Sequence, residues 1–159
     1  MSQEEIVVAK GWKFVSFDEI TEKITYGFTN PMPHTNEGPW LITAKDIING
    51  TINYSTARKT DEKSYHELLT QKSCPGIGTV LLTKDGTLGR VAIVDRKNIC
   101  INQSVASLLP KKNKITSKFL ALILQSPNIK QKIKDSNKST TIGHIQITEL
   151  AKWRFYLPS

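Results

Sequence analysis

The segment Gly78-Thr-Val-Leu-Leu-Thr83, Lys84-Asp-Gly-Thr-Leu-Gly89, Arg90-Val-Ala-Ile-Val-Asp95 and then, past a polar break, Ile99-Cys-Ile-Asn-Gln103 decides the reading of this chain. Two apolar, β-branched runs flank Asp85-Gly86, where glycine accepts the positive φ of a tight hairpin turn. Lys84 and Arg90 bracket that turn, so the expected element is a stiff hairpin with a basic tip, suited to touching a polyanion. The apolar content from Ile99 to Leu109 reads as a further strand that ends at Pro110.

The same turn chemistry recurs upstream. Asn49-Gly50 between Ile47-Ile48 and Thr51-Ile52 marks a second hairpin, and Trp40-Leu41-Ile42-Thr43 reads as the strand before it. Ser16-Phe17-Asp18-Glu19 spells a capping box, with Phe17, Ile20 and Ile24 on one helical face, which predicts an amphipathic helix ending by Gly27. Ser64-Tyr65-His66-Glu67 offers a second box before Leu68 and Leu69. Between them, Phe28 to Gly38 carries two prolines and no apolar periodicity, and a loop this long in a small domain points to a function.

The last third turns helical. Ser117 is placed to cap a run holding Phe119, Leu120, Ile123 and Leu124, and Ser126-Pro127 to start a second helix with Ile129 and Ile133 inward and Lys130, Lys132 and Lys134 outward. A short helix around Thr148 to Ala151 and an apolar strand from Trp153 to Leu157 close the chain. Strand runs followed by helices give an α+β fold class: a twisted, mainly antiparallel sheet with hairpins and short peripheral helices.

Composition limits the partners. With 159 residues the chain fits one domain, read as a polar leader over 1–11 and a single domain over 12–159. Lys and Arg total 22 against 14 Asp and Glu, a net charge of +8 that suits a nucleic acid and equally an acidic protein or anionic membrane. Cys74 and Cys100 share no zinc spacing, which favours free thiols. No segment has the ~20 apolar residues of a membrane helix and the start lacks a secretory pattern, so a cytoplasmic location without membrane contact is expected.

The order of the motifs resembles the target recognition domain of type I restriction-modification specificity subunits. Trp12 precedes the first helix, Gly38-Pro39-Trp40-Leu41-Ile42 leads into Asp46-Ile47 and Gly50, and Gly78 opens Val80-Leu81-Leu82-Thr83. Gly86 and Gly89 lie in the hairpin, Asn102-Gln103 on the next strand and Phe119-Leu120 on the following helix. A Ser139-Thr140-Thr141 cluster then precedes Ile145 and Leu150, and Leu157-Pro158 falls where the family's long spacer helix begins. The glycine that often precedes the Ser/Thr cluster is replaced by Asn137-Lys138. The resemblance implies half of a specificity subunit, without the second domain or the spacer helices, reading one half of a split target in double-stranded DNA.

Its implied partners are modification (methyltransferase) subunits, a motor/nuclease subunit, and a second copy or second recognition domain for the other half-site. S-adenosylmethionine, ATP and magnesium would belong to those partner subunits, with no cofactor on this chain and no catalysis by it.

Duplex recognition needs cations for phosphates and hydrogen-bonding side chains for base edges. Lys84 and Arg90 at the hairpin tip, and Lys45, Arg58 and Lys59 beside the earlier strands, are the phosphate candidates, with Arg90 or Arg58 also able to pair bidentately with guanine. Thr29, Asn30, His34 and Asn36 in the long loop, and Ser139, Thr140, Thr141, His144 and Gln146, supply the candidate reading edges. Each has a plainer explanation: solvated charge, turn chemistry at Asn30-Pro31, or helix capping at Ser139 and Thr141. Asn102-Gln103 either meets DNA or bonds a neighbouring loop's backbone.

Two other classes compete. Asp85 followed ten residues later by Asp95-Arg96-Lys97 has the Asp…Asp-x-Lys spacing of a magnesium-dependent nuclease. A basic adaptor for an acidic protein explains the charge alone.

Overall fold

The computed structural model describes residues 10–137 and 143–158. Strand β1 (Trp12–Ser16) runs into a single helical turn, α1 (Phe17–Ile20), and then directly into β2 (Thr21–Tyr26). The capping box forms, with Ser16 N donating to Glu19 Oε2 at 3.3 Å, but the helix does not reach Gly27. Thr21, Ile24 and Thr25 of β2 are β-branched, and pairing with a neighbouring strand overrides the helical spacing of Ile24.

After the loop comes β3 (Thr35–Ile42), which takes the last residues of the expected loop into a strand. A 3₁₀ turn at Ala44–Asp46 leads to β4 (Ile47–Ile48) and β5 (Thr51–Ile52), joined through Asn49 (φ 53°) and Gly50 (φ 79°) as the hairpin signal predicted. Next come β6 (Arg58–Lys59) and α2 (Glu62–Leu68). The cap of α2 is Asp61, whose Oδ1 accepts from Ser64 N at 2.7 Å, so the helix starts earlier than the Ser64 box implied. Aspartate satisfies the free amide and Ser64 becomes the third helical residue.

The central hairpin, β7 (Val80–Thr83) and β8 (Val91–Ile93), pairs antiparallel as expected, but not through a two-residue turn. Thr83 N to Arg90 O at 2.9 Å and Gly89 N to Thr83 O at 3.0 Å close the ladder, and Lys84 to Leu88 bulge outward to meet residues 143–145. Gly86 N donates to Gly143 O, and Ile145 N to Lys84 O at 2.7 Å, so the tip is stitched to a later segment. The expected strand from Ile99 to Pro110 is two: β9 (Ile99–Ile101) and β10 (Val105–Pro110). Asn102-Gln103-Ser104 breaks it because the Asn102 side-chain oxygen caps the turn, accepting from Ser104 N at 3.1 Å.

The C-terminal part follows α3 (Ser117–Leu124), α4 (Pro127–Ser136), α5 (Ile147–Leu150) and β11 (Arg154–Pro158). Thr116 rather than Ser117 caps α3, accepting from Phe119 N at 3.1 Å, while the Ser117 hydroxyl donates to Gly78 O at 2.6 Å. Ser126 and Pro127 start α4 as read from the sequence.

Among the described residues the strands form four small sheets, ordered β1-β11, β2-β10-β7-β8, β6-β3-β9 and β4-β5. Pairing is antiparallel except for β3 with β9. Period-two alternation sorts the side chains into layers. Val80 and Leu82 of β7, with Ala106 and Leu108 of β10, face α3, α4, α5 and Phe17, whereas Leu81 and Val105 face the opposite core with Ile42, Ile99 and Ile101. Cys100 and Leu41, pointing the other way, join Met32 in a third cluster beneath the long loop. That cluster supports the candidate site.

Candidate nucleic-acid interface

The long loop is tied at its base and open at its crown. Phe28 N donates to Ile101 O at 3.1 Å and Gln103 N to Phe28 O at 2.9 Å, extending the parallel pairing by one bridge between Phe28 and Asn102. Gly27 makes this approach possible: a Cβ there would lie 1.9 Å from Ile101 O. Met32 is buried over Leu41 and Cys100, so one apolar side chain pins the crown.

Between this loop, the 3₁₀ turn and the β9–β10 corner lies a cleft of about 470 Å³, lined in part by Thr29, Asn30, His34, Lys45, Arg58, Asn102 and Gln103. Residues far apart in sequence, from the loop, the turn after β3 and β6, thus converge. Arg58 Nη1 lies 2.9 Å from His34 Nδ1. Lys45 is exposed at the turn. Asp46, the carboxylate in the lining, is fully buried and spent on the fold: Oδ2 accepts from Thr43 N at 2.9 Å and Oδ1 from Thr56 Oγ1 at 2.8 Å. The cleft therefore presents cations and amides with no free carboxylate among its described lining, a field that attracts phosphate.

A second, shallower groove adjoins it across Arg58, lined by His34, Thr35, Asn36, Trp40, Tyr54, Ala57, Arg58 and Lys59. Lys59 Nζ sits 4.3 Å from the centre of the Trp40 ring and Arg96 Cζ 3.8 Å from that of Tyr54, so cations are held against aromatic faces along this edge. The structure brings together Thr29, Asn30, His34, Lys45 and Arg58 in one cleft and places Asn36 and Lys59 beside it.

The hairpin tip is a different region. Lys84, expected as an exposed phosphate contact, is 5% exposed, bonds Asp85 Oδ2 at 2.7 Å and lies 4.9 Å from the centre of the Tyr26 ring. The bulged loop turns its side chain inward, so it is a structural lysine. Arg90 is exposed, but its Nη1 reaches toward Ile47 O at 3.4 Å and it does not line the cleft. His144 Nδ1 bonds Asp85 Oδ1, which makes His144 a fastener of the 143–145 segment, and Gln146 is exposed at the start of α5. Ser139, Thr140 and Thr141 lie outside the described residues.

Asp85 and Asp95 sit at opposite ends of β8, each with its own partner: Asp85 with Lys84 and His144, Asp95 with the Tyr54 hydroxyl. Burial would push the Asp85 carboxyl up, but hydrogen bonds from Lys84 and His144 outweigh it and hold the group below its ordinary value. The Asp…Asp-x-Lys pattern thus does not fold into a two-carboxylate metal site. Sequence reasoning left Asn102 and Gln103 undecided; the structure puts both on the cleft, and the signal was the polar Asn-Gln-Ser break between two apolar runs.

Comparison with known proteins agrees with this architecture. The family model described as type I restriction modification DNA specificity domain matches residues 9–159. The type I restriction enzyme EcoBI specificity subunit of Escherichia coli is 26% identical over 159 residues, covering 98% of this chain and 33% of that protein. The chain thus spans about a third of the length of this relative. The HsdS subunit from Thermoanaerobacter tengcongensis superposes with a TM-score of 0.66 at 15% identity, over 98% of this chain and 35% of that one. The type I S subunit from M. genitalium gives 0.63 at 18% identity, over 99% and 36%. These two likenesses support the α+β fold. With the family model spanning nearly the whole length and the fold shared with such subunits, the chain belongs to the type I restriction-modification DNA specificity domain family.

Proposed function

We propose that this domain reads one half of a bipartite sequence in double-stranded DNA and serves as a specificity component of a type I restriction-modification complex. The observation that carries the proposal is the convergence of Thr29, Asn30, His34, Lys45 and Arg58 on one basic cleft in a chain of this family. Lys45 and Lys59 contribute phosphate contacts, and Arg58 and the loop residues with Asn36 contribute polar groups for base edges. Arg90 and Gln146, both exposed, are further candidate contacts outside the cleft. The scaffold does no bond-making. In this reading modification subunits methylate using S-adenosylmethionine, and a motor/nuclease subunit works with ATP and magnesium. A second copy or second recognition domain takes the other half-site, and the complex acts in the cytoplasm.

Selection from a random duplex pool at moderate salt tests this directly. The expected result is a short enriched motif bound with an affinity on the order of micromolar, since half of a bipartite contact lacks the gain from the second half. Retention of duplexes without any sequence enrichment overturns the proposal and favours a general basic adaptor.

A further inference from the structure

The polar groups of the cleft differ in how firmly they are held, and the firmly held ones share one polarity. A guanidinium has hydrogens to donate and no lone pair to accept with. The 2.9 Å contact between Arg58 Nη1 and His34 Nδ1 therefore makes Nδ1 the acceptor, puts the ring hydrogen on Nε2, and anchors one nitrogen of the guanidinium. Asn102 is held just as firmly. Its Oδ1 takes hydrogen bonds from both the amide and the hydroxyl of Ser104, leaving the Nδ2 hydrogens as the part able to meet a ligand. The Asp46 oxygens are consumed by Thr43 and Thr56. Lys45 adds only donors. Thr29, Asn30 and Gln103 engage no side-chain hydrogen bond among the described residues and can turn to suit flanking groups.

Base pairs differ in the major groove by donors and acceptors. Guanine shows two adjacent acceptors, O6 and N7; adenine pairs an acceptor with a donor, cytosine shows a donor, and thymine one acceptor beside a methyl group. A preorganised set of donors matches guanine and leaves adenine or cytosine with a donor facing a donor.

Resting on the DNA-reading function proposed above, we propose that this cleft seats the major-groove edge of a guanine, with Arg58 donating to O6 and N7 and His34 as the positioning residue that anchors Arg58 through Nη1. Asn102 Nδ2 supplies a donor to the same base or to its neighbour. Arg90, its guanidinium directed to Ile47 O outside the cleft, takes no part.

The test uses the full chain and the duplex enriched by pool selection. The motif contains a guanine at one fixed position. Replacing it with 7-deazaguanine, which lacks N7, weakens binding roughly 10- to 100-fold, while inosine, which keeps O6 and N7 and lacks only the minor-groove amine, binds as the parent does. Arg58→Lys keeps the charge but not the fork, so it retains affinity for scrambled duplex and loses preference at that position. His34→Ala loses the same preference, and His34→Asn, which restores an acceptor near Nδ1, recovers it; a merely structural histidine would not produce this pattern. Thermal melting confirms that each variant is folded. A motif without guanine, indifference to 7-deazaguanine, or sensitivity to inosine alone overturns the inference and leaves DNA reading intact. An absence of any motif overturns both.

Discussion

Lys84 and Asp85 are adjacent in sequence and bonded to each other, ammonium to carboxylate at 2.7 Å, with the lysine side chain turned under the hairpin loop. Removing one member of a largely buried pair strands the other, so Lys84→Ala lowers stability by about 1–3 kcal/mol, the cost being reduced by the partial exposure of Asp85. Urea titration measures the loss. The same variant leaves the salt dependence of DNA binding unchanged.

Lys45→Ala has the opposite profile. The residue is exposed at the cleft rim and its loss leaves folding alone. Binding weakens about equally for matched and scrambled duplexes, and the slope of log affinity against log salt falls by about 1. Fluorescence anisotropy at several salt concentrations reads both effects.

Acid weakens the fastening of the hairpin loop. The Asp85 carboxyl is depressed in the folded chain, so its contribution to stability is present above the ordinary carboxylate range and disappears as pH falls through the depressed value. Asp85→Asn is therefore less stable than the parent at neutral pH, and the gap narrows as pH falls below the ordinary carboxylate range, as urea midpoints across an acid series would record.

Glycine positions separate cleanly. Gly27→Ala puts a Cβ 1.9 Å from the Ile101 carbonyl and costs about 3 kcal/mol or more, because backbone on both sides must move. Gly50→Ala, at φ +79° with open space around it, costs about 1 kcal/mol. Thermal melting of the two variants ranks them.

The thiols are slow. Burial and the neighbouring Cys74 push the Cys100 thiol up to about 12, and burial raises Cys74 as well, so neither is a ready thiolate at neutral pH. In the native chain, alkylation proceeds first at the half-buried Cys74, and Cys100 reacts only on unfolding. Mass spectrometry of a time course checks the order.

Local signals were legible wherever they acted locally. Asn49-Gly50, Ser126-Pro127 and the apolar run Val80–Thr83 each specify an element through local chemistry, and each formed. Ile24 failed as a helical residue because its strand finds a partner more than eighty residues away, a force no window of sequence contains. Lys84 misled for a related reason: a charge beside an Asp-Gly pair reads as a tip, and only the contact with residues 143–145 turns it inward. The loop's polar side chains were readable, but their meeting with Lys45 and Arg58 depends on the parallel pairing of β3 with β9. Asn102-Gln103-Ser104 was hidden within an apolar run whose two halves belong to different sheets.

The two hydrogen bonds that clamp Phe28 against Ile101 and Gln103 fix both where the 29–36 crown begins and how it is aimed. A segment moored so tightly at its root can be rewritten like a cassette. Apart from Met32, which plugs the floor, its letters can change without disturbing the three apolar layers below. If the domain reads DNA as proposed, a handful of substitutions in this segment is enough for a new target, with the layers beneath it unchanged.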